Sequence, residues 1–125
     1  MSATRIVFLV ALMMMLNFSC NHQHSDYQIM QMLKSNDTEK LILGAFEAGE
    51  SGKTKFVPLL LLNANNRGGC TNIRFKGFSV YQEKMIALRK LLRIEPPIPI
   101  TRYPDSLIIR FYSHYAAVHH LTENK

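Results

Sequence analysis

Gly49-Glu50-Ser51-Gly52-Lys53-Thr54 is the stretch of this chain whose residue types could do chemistry. Glycines followed by Lys and Thr are the tools of a phosphate-binding loop. Its backbone N–H groups cradle phosphates, its Lys reaches them, and its hydroxyl holds Mg²⁺. The complete loop has four residues between its first Gly and the Gly-Lys-Thr, which puts that Gly at position 47. The chain has Glu47 there, and a carboxylate at that place repels phosphate. The same residues also suit a tight reversal between two helices. Gly49 would then be the left-handed stop of the first helix, and Lys53 a solvated residue at the start of the second.

Context separates the two readings. Leu41-Ile42-Leu43-Gly44-Ala45 with the Gly49–Thr54 stretch resembles the phosphate loop of G-protein α subunits, but only with residues excised between them. A strand should precede such a loop, whereas Asn36-Asp37-Thr38-Glu39 has the spacing of a helix cap. Repeated βαβ units are missing from the pattern, as are a later Mg²⁺-holding Asp and an Asn-Lys-x-Asp base-reading motif. The nucleotide-binding enzyme, acting through Lys53 and Thr54, is therefore the alternative reading.

Other reactive residues do not converge. His22 and His24 fall in a polar tether, and His114 stands alone. His119 and His120 are adjacent, so on a helix they point ~100° apart. Neither Cys nor carboxylate stands at ligand spacing to complete a tetrahedron, so no metal site is expected. Paired catalytic carboxylates and Ser-His-Asp logic are missing too, so no catalytic residue, no cofactor and no enzyme activity are expected. Cys70 reads as a small, partly buried residue. The net charge is +6, from 15 Lys+Arg against 9 Asp+Glu. The cations are scattered, which argues against a nucleic-acid arm. Arg67, Arg74 and Lys76 are the candidates for contact with an anionic lipid or polymer surface. Tyr103, Phe111, Tyr112 and Tyr115 form an aromatic cluster that reads as core, with one tyrosine free to line a partner groove.

These residues must be positioned by helices. Ser25-Asp26-Tyr27-Gln28 has capping-box spacing, and Ile29, Met32 and Leu33 recur at helical spacing, so a helix is expected at 26–34. A second runs over 37–48, with Leu41, Ala45 and Ala48 on one stripe. A third starts near Lys55, because Pro58 fits only the first turn. Leu59 to Leu62 make its whole circumference apolar, which predicts the most buried helix. Asn63 to Thr71 is a loop by composition, and Ile73 to Gly77 is extended or a single turn. Ser79-Val80-Tyr81-Gln82 repeats the capping box. Tyr81, Met85, Leu88 and Leu92 then form the inner stripe of a helix over 80–93, with Glu83, Lys84, Arg89 and Lys90 mostly elsewhere. Glu95-Pro96-Pro97-Ile98-Pro99 is an extended connector. A last helix begins at Pro104-Asp105, turns Leu107, Ile108, Phe111, Tyr112 and Tyr115 inward, and frays at His119 or His120.

The N-terminal end carries an address. Arg5 precedes Ile6–Leu16, an unbroken apolar run of eleven residues, and a polar stretch follows from Asn21. This is the pattern of a secretory signal peptide, and the run is too short to stay as a membrane span. Ser19-Cys20 resembles the lipobox of bacterial lipoproteins, although Asn17 stands where that family prefers Leu. The resemblance implies cleavage before Cys20 and acylation of Cys20; an ordinary secretory cut is the alternative. Removing residues 1–19 takes Arg5 and leaves 106 residues with a net charge of +5, enough for one domain.

The expected elements pair as two hairpins, 37–48 with 53–63 and 80–93 with 105–119. Their starts at Asp37 and Ser79 are 42 residues apart, within the ~40–47-residue period of helical-pair repeats. The first hairpin, with Phe56-Val57-Pro58-Leu59-Leu60 early in its second helix, resembles a HEAT repeat. Val80 to Leu92 with Pro96-Pro97 resembles the close of HEAT-like domains in bacterial envelope proteins. The resemblance implies an all-α fold, in which antiparallel hairpins stack as a short right-handed array. The expected organisation is a signal peptide at 1–19, a tether at 20–25, a HEAT-like domain at 26–120 and a loose tail at 121–125. The expected role is protein binding or scaffolding by a lipoprotein tethered at the bacterial cell envelope. Its partners are the membrane, through Cys20, and another envelope protein, with no nucleic acid and no nucleotide.

Overall fold

A computed structural model describes residues 24–122; the signal segment, Cys20 and His22 lie outside the described residues. Five α-helices and two short 3₁₀ turns follow in order: α1 Asp26–Leu33, α2 Thr38–Ser51, a turn at Thr54–Phe56, α3 Val57–Leu61, a turn at Ile73–Phe75, α4 Val80–Leu92 and α5 Ser106–Val118. Among the described residues there is no β-sheet, only an isolated bridge between Gly69 and Ser79. The fold is all-α.

Caps set most helix starts. Ser25 Oγ accepts from Gln28 N–H at 3.2 Å and Gln28 Oε1 accepts from Ser25 N–H at 2.9 Å, a reciprocal box that satisfies two orphan amides. Asp37 caps α2 by accepting from Lys40 N–H at 3.1 Å. At α4 the expected box is half made. Ser79 Oγ accepts from Gln82 N–H, but donates to Arg102 O at 2.6 Å, and Gln82 Oε1 is left without a partner. The preceding loop closes the remaining gap: Val80 N–H donates to Gly68 O and Tyr81 N–H to Asn66 O. The Asn63–Gly77 connection thus serves as a backbone cap for α4.

The helix ends differ from expectation in three places. Gly49 does not stop α2, which runs on to Ser51 and ends at Gly52, where φ is +70°. Gly49 is buried inside the helix because α4 passes it closely: a Cβ there would lie 3.0 Å from Ala87 Cα. α3 is short and ends at Leu61, since Leu62 is extended (ψ 125°) and turns outward, so the predicted all-round apolar helix is not formed. α5 ends at Val118, beside His119 as expected, but in a hydrogen-bonded cap. His120 takes a left-handed φ of 56°, His120 N–H donates to Ala117 O, and Leu121 N–H donates to Ala116 O. That Schellman closure folds half-buried Leu121 onto the core.

α2 lies between α1 and α4. It meets α1 as an antiparallel hairpin: Gly44 sits against Met32 and Leu33 near the end of α1, while Asp26 at its start reaches Lys53 just past the end of α2. With α4 it runs in the same direction. Leu41 and Ile42 pack with Val80 at the starts of both helices, and Gly49 lies on Ala87 towards their ends. α3 packs on α4 and α5, burying Phe56, Val57 and Leu60 completely. Full burial of such side chains contributes roughly 1.5–3 kcal/mol each. α5 presents Ile108, Tyr112 and Ala116 to this core, and Tyr112 OH donates to Ile94 O at 3.0 Å. Leu107 is exposed, and Phe111 and Tyr115 are half-buried, so the inner stripe lies to one side of the expected one. A smaller apolar cluster of Leu41, Ile42, Cys70, Phe75 and Val80 forms where the 66–79 loop crosses the starts of α2 and α4.

Candidate functional site

The fold disassembles the phosphate-loop motif. Gly49 is inside a helix, and Thr54 opens a 3₁₀ turn. Lys53 is not simply solvated at a helix start. Its Nζ lies 2.8 and 2.9 Å from the two carboxylate oxygens of Asp26, and Lys55 joins the same carboxylate. The Lys53 and Lys55 hydrogen bonds hold the Asp26 carboxyl below its usual range. The motif cation is thus committed to a neighbouring helix start.

The three candidate anion contacts do not share a site. Arg67 lines a cleft of about 260 Å³ with Arg102, Tyr103 and residues of the 69–71 and 77–79 segments. Lys76 is exposed. Arg74 is exposed too, yet its guanidinium carbon stands 4.6 Å from the Phe46 ring centre and 5.2 Å from that of Phe75. The histidines are also dispersed. His24 is not a free tether residue, since its Nδ1 is 2.6 Å from Glu47 Oε1. His119 packs edge-on against Tyr115, with centroids 4.1 Å apart. Among the described residues no group of three His, Cys, Asp or Glu could hold a metal ion.

Cys70 is buried in the small cluster, with Sγ 3.4 Å from Glu39 Oε1. Burial pushes its thiol pKa up, against the pull of the Asn72 N–H, and Glu39 adds to the rise. The thiol therefore stays protonated, a poor nucleophile.

The residues that sequence reasoning missed are on α4. Glu83 and Lys84, expected largely outside the packed stripe, are 4 % and 2 % exposed. Lys84 Nζ donates to Leu62 O at 2.7 Å, just past the end of α3, and burial lowers its pKa to about 8. Glu83, the next residue back and about 100° round the helix, faces the α2 side, beside Phe46. Burial raises its pKa, with Lys90 and Arg74 pulling down and Glu50 pushing up. Glu83 lines a cleft of about 240 Å³ with Phe46, Arg74, Phe75, Phe78, Ile86 and Lys90. The signal was present in spacing. Val80, Lys84, Ala87 and Leu91 form one helical stripe and Val80, Glu83, Ala87 and Lys90 another, so each charge shares a row with core residues.

The comparisons add nothing to this geometry. The chain matches no family model, no curated protein and no solved structure.

What the arrangement can do follows from the residues themselves. The cleft over Glu83 joins three phenyl rings, one buried carboxylate and two cations at the meeting of α2, α4 and the 66–79 loop. Its lining is chemically suited to a charged or amphipathic group; a nucleophile with a base beside it is not among its lining residues. Among the described residues no helix is long and apolar enough to cross a membrane.

Proposed function

We propose that this chain is a bacterial envelope lipoprotein, exported and membrane-tethered through lipid on Cys20, whose small HEAT-like domain binds or scaffolds another envelope protein without catalysis. The observation that carries the domain reading is the same-direction packing of α2 on α4 across Gly49 and Ala87. Stacked helical pairs require it: the first helix of one pair lies along the first helix of the next, and second helices meet likewise. α3 and α5, the second helices here, do contact one another. A right-handed stack of α2/α3 on α4/α5, closed at one end by α1, is the array this reading implies. The tether reading rests on the charged start, the short apolar run and Ser19-Cys20. Against a nucleotide enzyme stand Glu47 in place of a loop glycine, Gly49 buried in a helix, and Lys53 held by Asp26.

One observation favours a second reading, contact with an anionic lipid or polymer surface. Ile73 is 93 % exposed on its turn, and the cations Arg74 and Lys76 follow it within three residues, an apolar tip with basic neighbours of the kind that settles into a charged interface. One experiment serves both. Wild type and Cys20→Ser are expressed with labelled palmitate and fractionated. The wild type takes up label and pellets with membranes, and the variant does neither. A variant that still pellets defeats the lipid tether. If its pelleting is reproduced on anionic vesicles and abolished by salt, the second reading replaces the first.

A further inference from the structure

The cleft over Glu83 has walls of one chemistry and a floor of another. Phe46 from α2, Phe75 and Phe78 from the loop and Ile86 from α4 are the walls. The Phe46 and Phe75 ring centres are 5.6 Å apart and inclined at 59°. An aromatic face attracts a cation within about 6 Å of its centre. Both rings are already used so, since the Arg74 guanidinium lies over Phe46 and Phe75, and Lys90 Nζ is 5.3 Å from the Phe46 centre.

Glu83 is the independent observation. The residue is buried, its side chain lines this cleft, and it accepts no hydrogen bond from any described residue. A largely buried carboxylate without a donor is costly, and the charges of Lys90 and Arg74 offset that cost only in part, without a hydrogen bond. Lys90 is turned to Glu50, and Arg74 makes only ring contacts. Arg74 also sits on an exposed turn that ends before Gly77, so its side chain can leave the rings without disturbing the core.

We propose that this cleft is a cage for an organic cation, an ammonium or guanidinium on a short apolar stem, which displaces Arg74 from the Phe46 and Phe75 faces and donates hydrogen bonds to Glu83. A volume of about 240 Å³ suits such a head and stem, and lies below the ~300 Å³ at which pockets for larger ligands begin. Two sources carry this chemistry: a Lys or Arg side chain of a partner protein, or a free alkylamine. The proposal deepens the protein-binding reading by naming what the partner offers. Its failure would leave the Cys20 tether and the helix stack untouched, because fractionation and stability read those separately.

The test titrates the purified full chain with n-butylammonium and with a short lysine-containing peptide, following heat and the phenylalanine resonances. Both should saturate at one site and compete. Arg74→Ala removes the resident cation and should tighten binding about tenfold, and Glu83→Gln should weaken it about as much. Arg74 is exposed, so its variant tests the cage without risk to the fold. Equal affinity for amine and peptide assigns the site to a free amine; a much tighter peptide assigns it to a partner side chain. Either result supports the cage. No saturation with either probe, unchanged or weaker binding in Arg74→Ala, or wild-type binding in a folded Glu83→Gln would overturn it.

Discussion

Glu83 and Lys84 are sequence neighbours on α4, both almost fully buried, yet they face two different kinds of interior. Lys84 points to the α3 side, which is closed. Its ammonium ends on the Leu62 carbonyl, and the residue as a whole is buried. Glu83 points to the α2 side, where the 66–79 loop leaves a cleft. On the closed side a charge is tied to a helix end and serves packing, since a cation there complements the carbonyl ends of α3. On the open side the charge has no fixed partner and is available to a ligand. Burial alone therefore does not distinguish the two charges; the missing partner and the route to solvent do.

The largest effect that can break this contrast is in the pH dependence of Lys84. Its pKa falls from 10.5 in an open chain to about 8 in the fold. Between those values the unfolded chain holds the extra proton, so stability rises as pH is raised from about 8 to 10.5. The rise attributable to Lys84 is on the order of 3 kcal/mol, from ~1.4 kcal/mol per pKa unit. Tyr112, pushed up to about 12 by burial, acts in the opposite direction above pH 10. The measurement is therefore the difference between wild type and Lys84→Met in chemical denaturation across this range. Parallel curves would mean that Lys84 is hydrated, and the closed side is not closed.

Gly49 holds the open side in shape. A Cβ there would be 3.0 Å from Ala87 Cα and 3.1 Å from its Cβ, so a larger residue forces α2 and α4 apart. Gly49→Leu should lower stability by about 2 kcal/mol, the scale of overpacking a tight core, against which its better helix propensity counts for roughly 1 kcal/mol. Denaturation midpoints check the loss. The Lys84 pH slope should survive in this variant, because the α3 side does not involve Gly49. A variant as stable as wild type would mean that the helix crossing is not close.

The fold was legible where caps and spacing agreed. Ser25 and Gln28 foretold α1, the Tyr81–Leu92 stripe foretold α4, and Pro58 foretold where α3 could begin. Gly49 and Gly52 were not separable by sequence, because either can stop a helix. Only the approach of Ala87 shows that Gly49 is needed for its missing side chain and Gly52 for its backbone. The candidate site was less legible. Phe46, Phe75 and Glu83 come from three segments, and nothing local joins them. Arg74 was picked out for its charge, but the rings beneath it are tertiary neighbours. Lys53 drew attention through a motif, and its partner Asp26 is 27 residues away.

The smallest effect sharpens the contrast most, because its sign is opposite. Burial raises the Glu83 pKa above the ordinary 4.5. As pH climbs from 4.5 through the folded value, the unfolded chain loses its proton first, so this group removes stability as pH rises. Glu83→Gln cannot ionise and avoids that loss. It should match wild type near pH 4 and exceed it at pH 7, by less than the Lys84 effect, because Lys90 and Arg74 offset part of the cost of the charge. Thermal melts at the two pH values decide it. Stability equal to wild type at both would show that water fills the cleft and solvates Glu83. Lower stability at pH 7 would show that the carboxylate is bound by a neighbour, and that the two sides of α4 are alike.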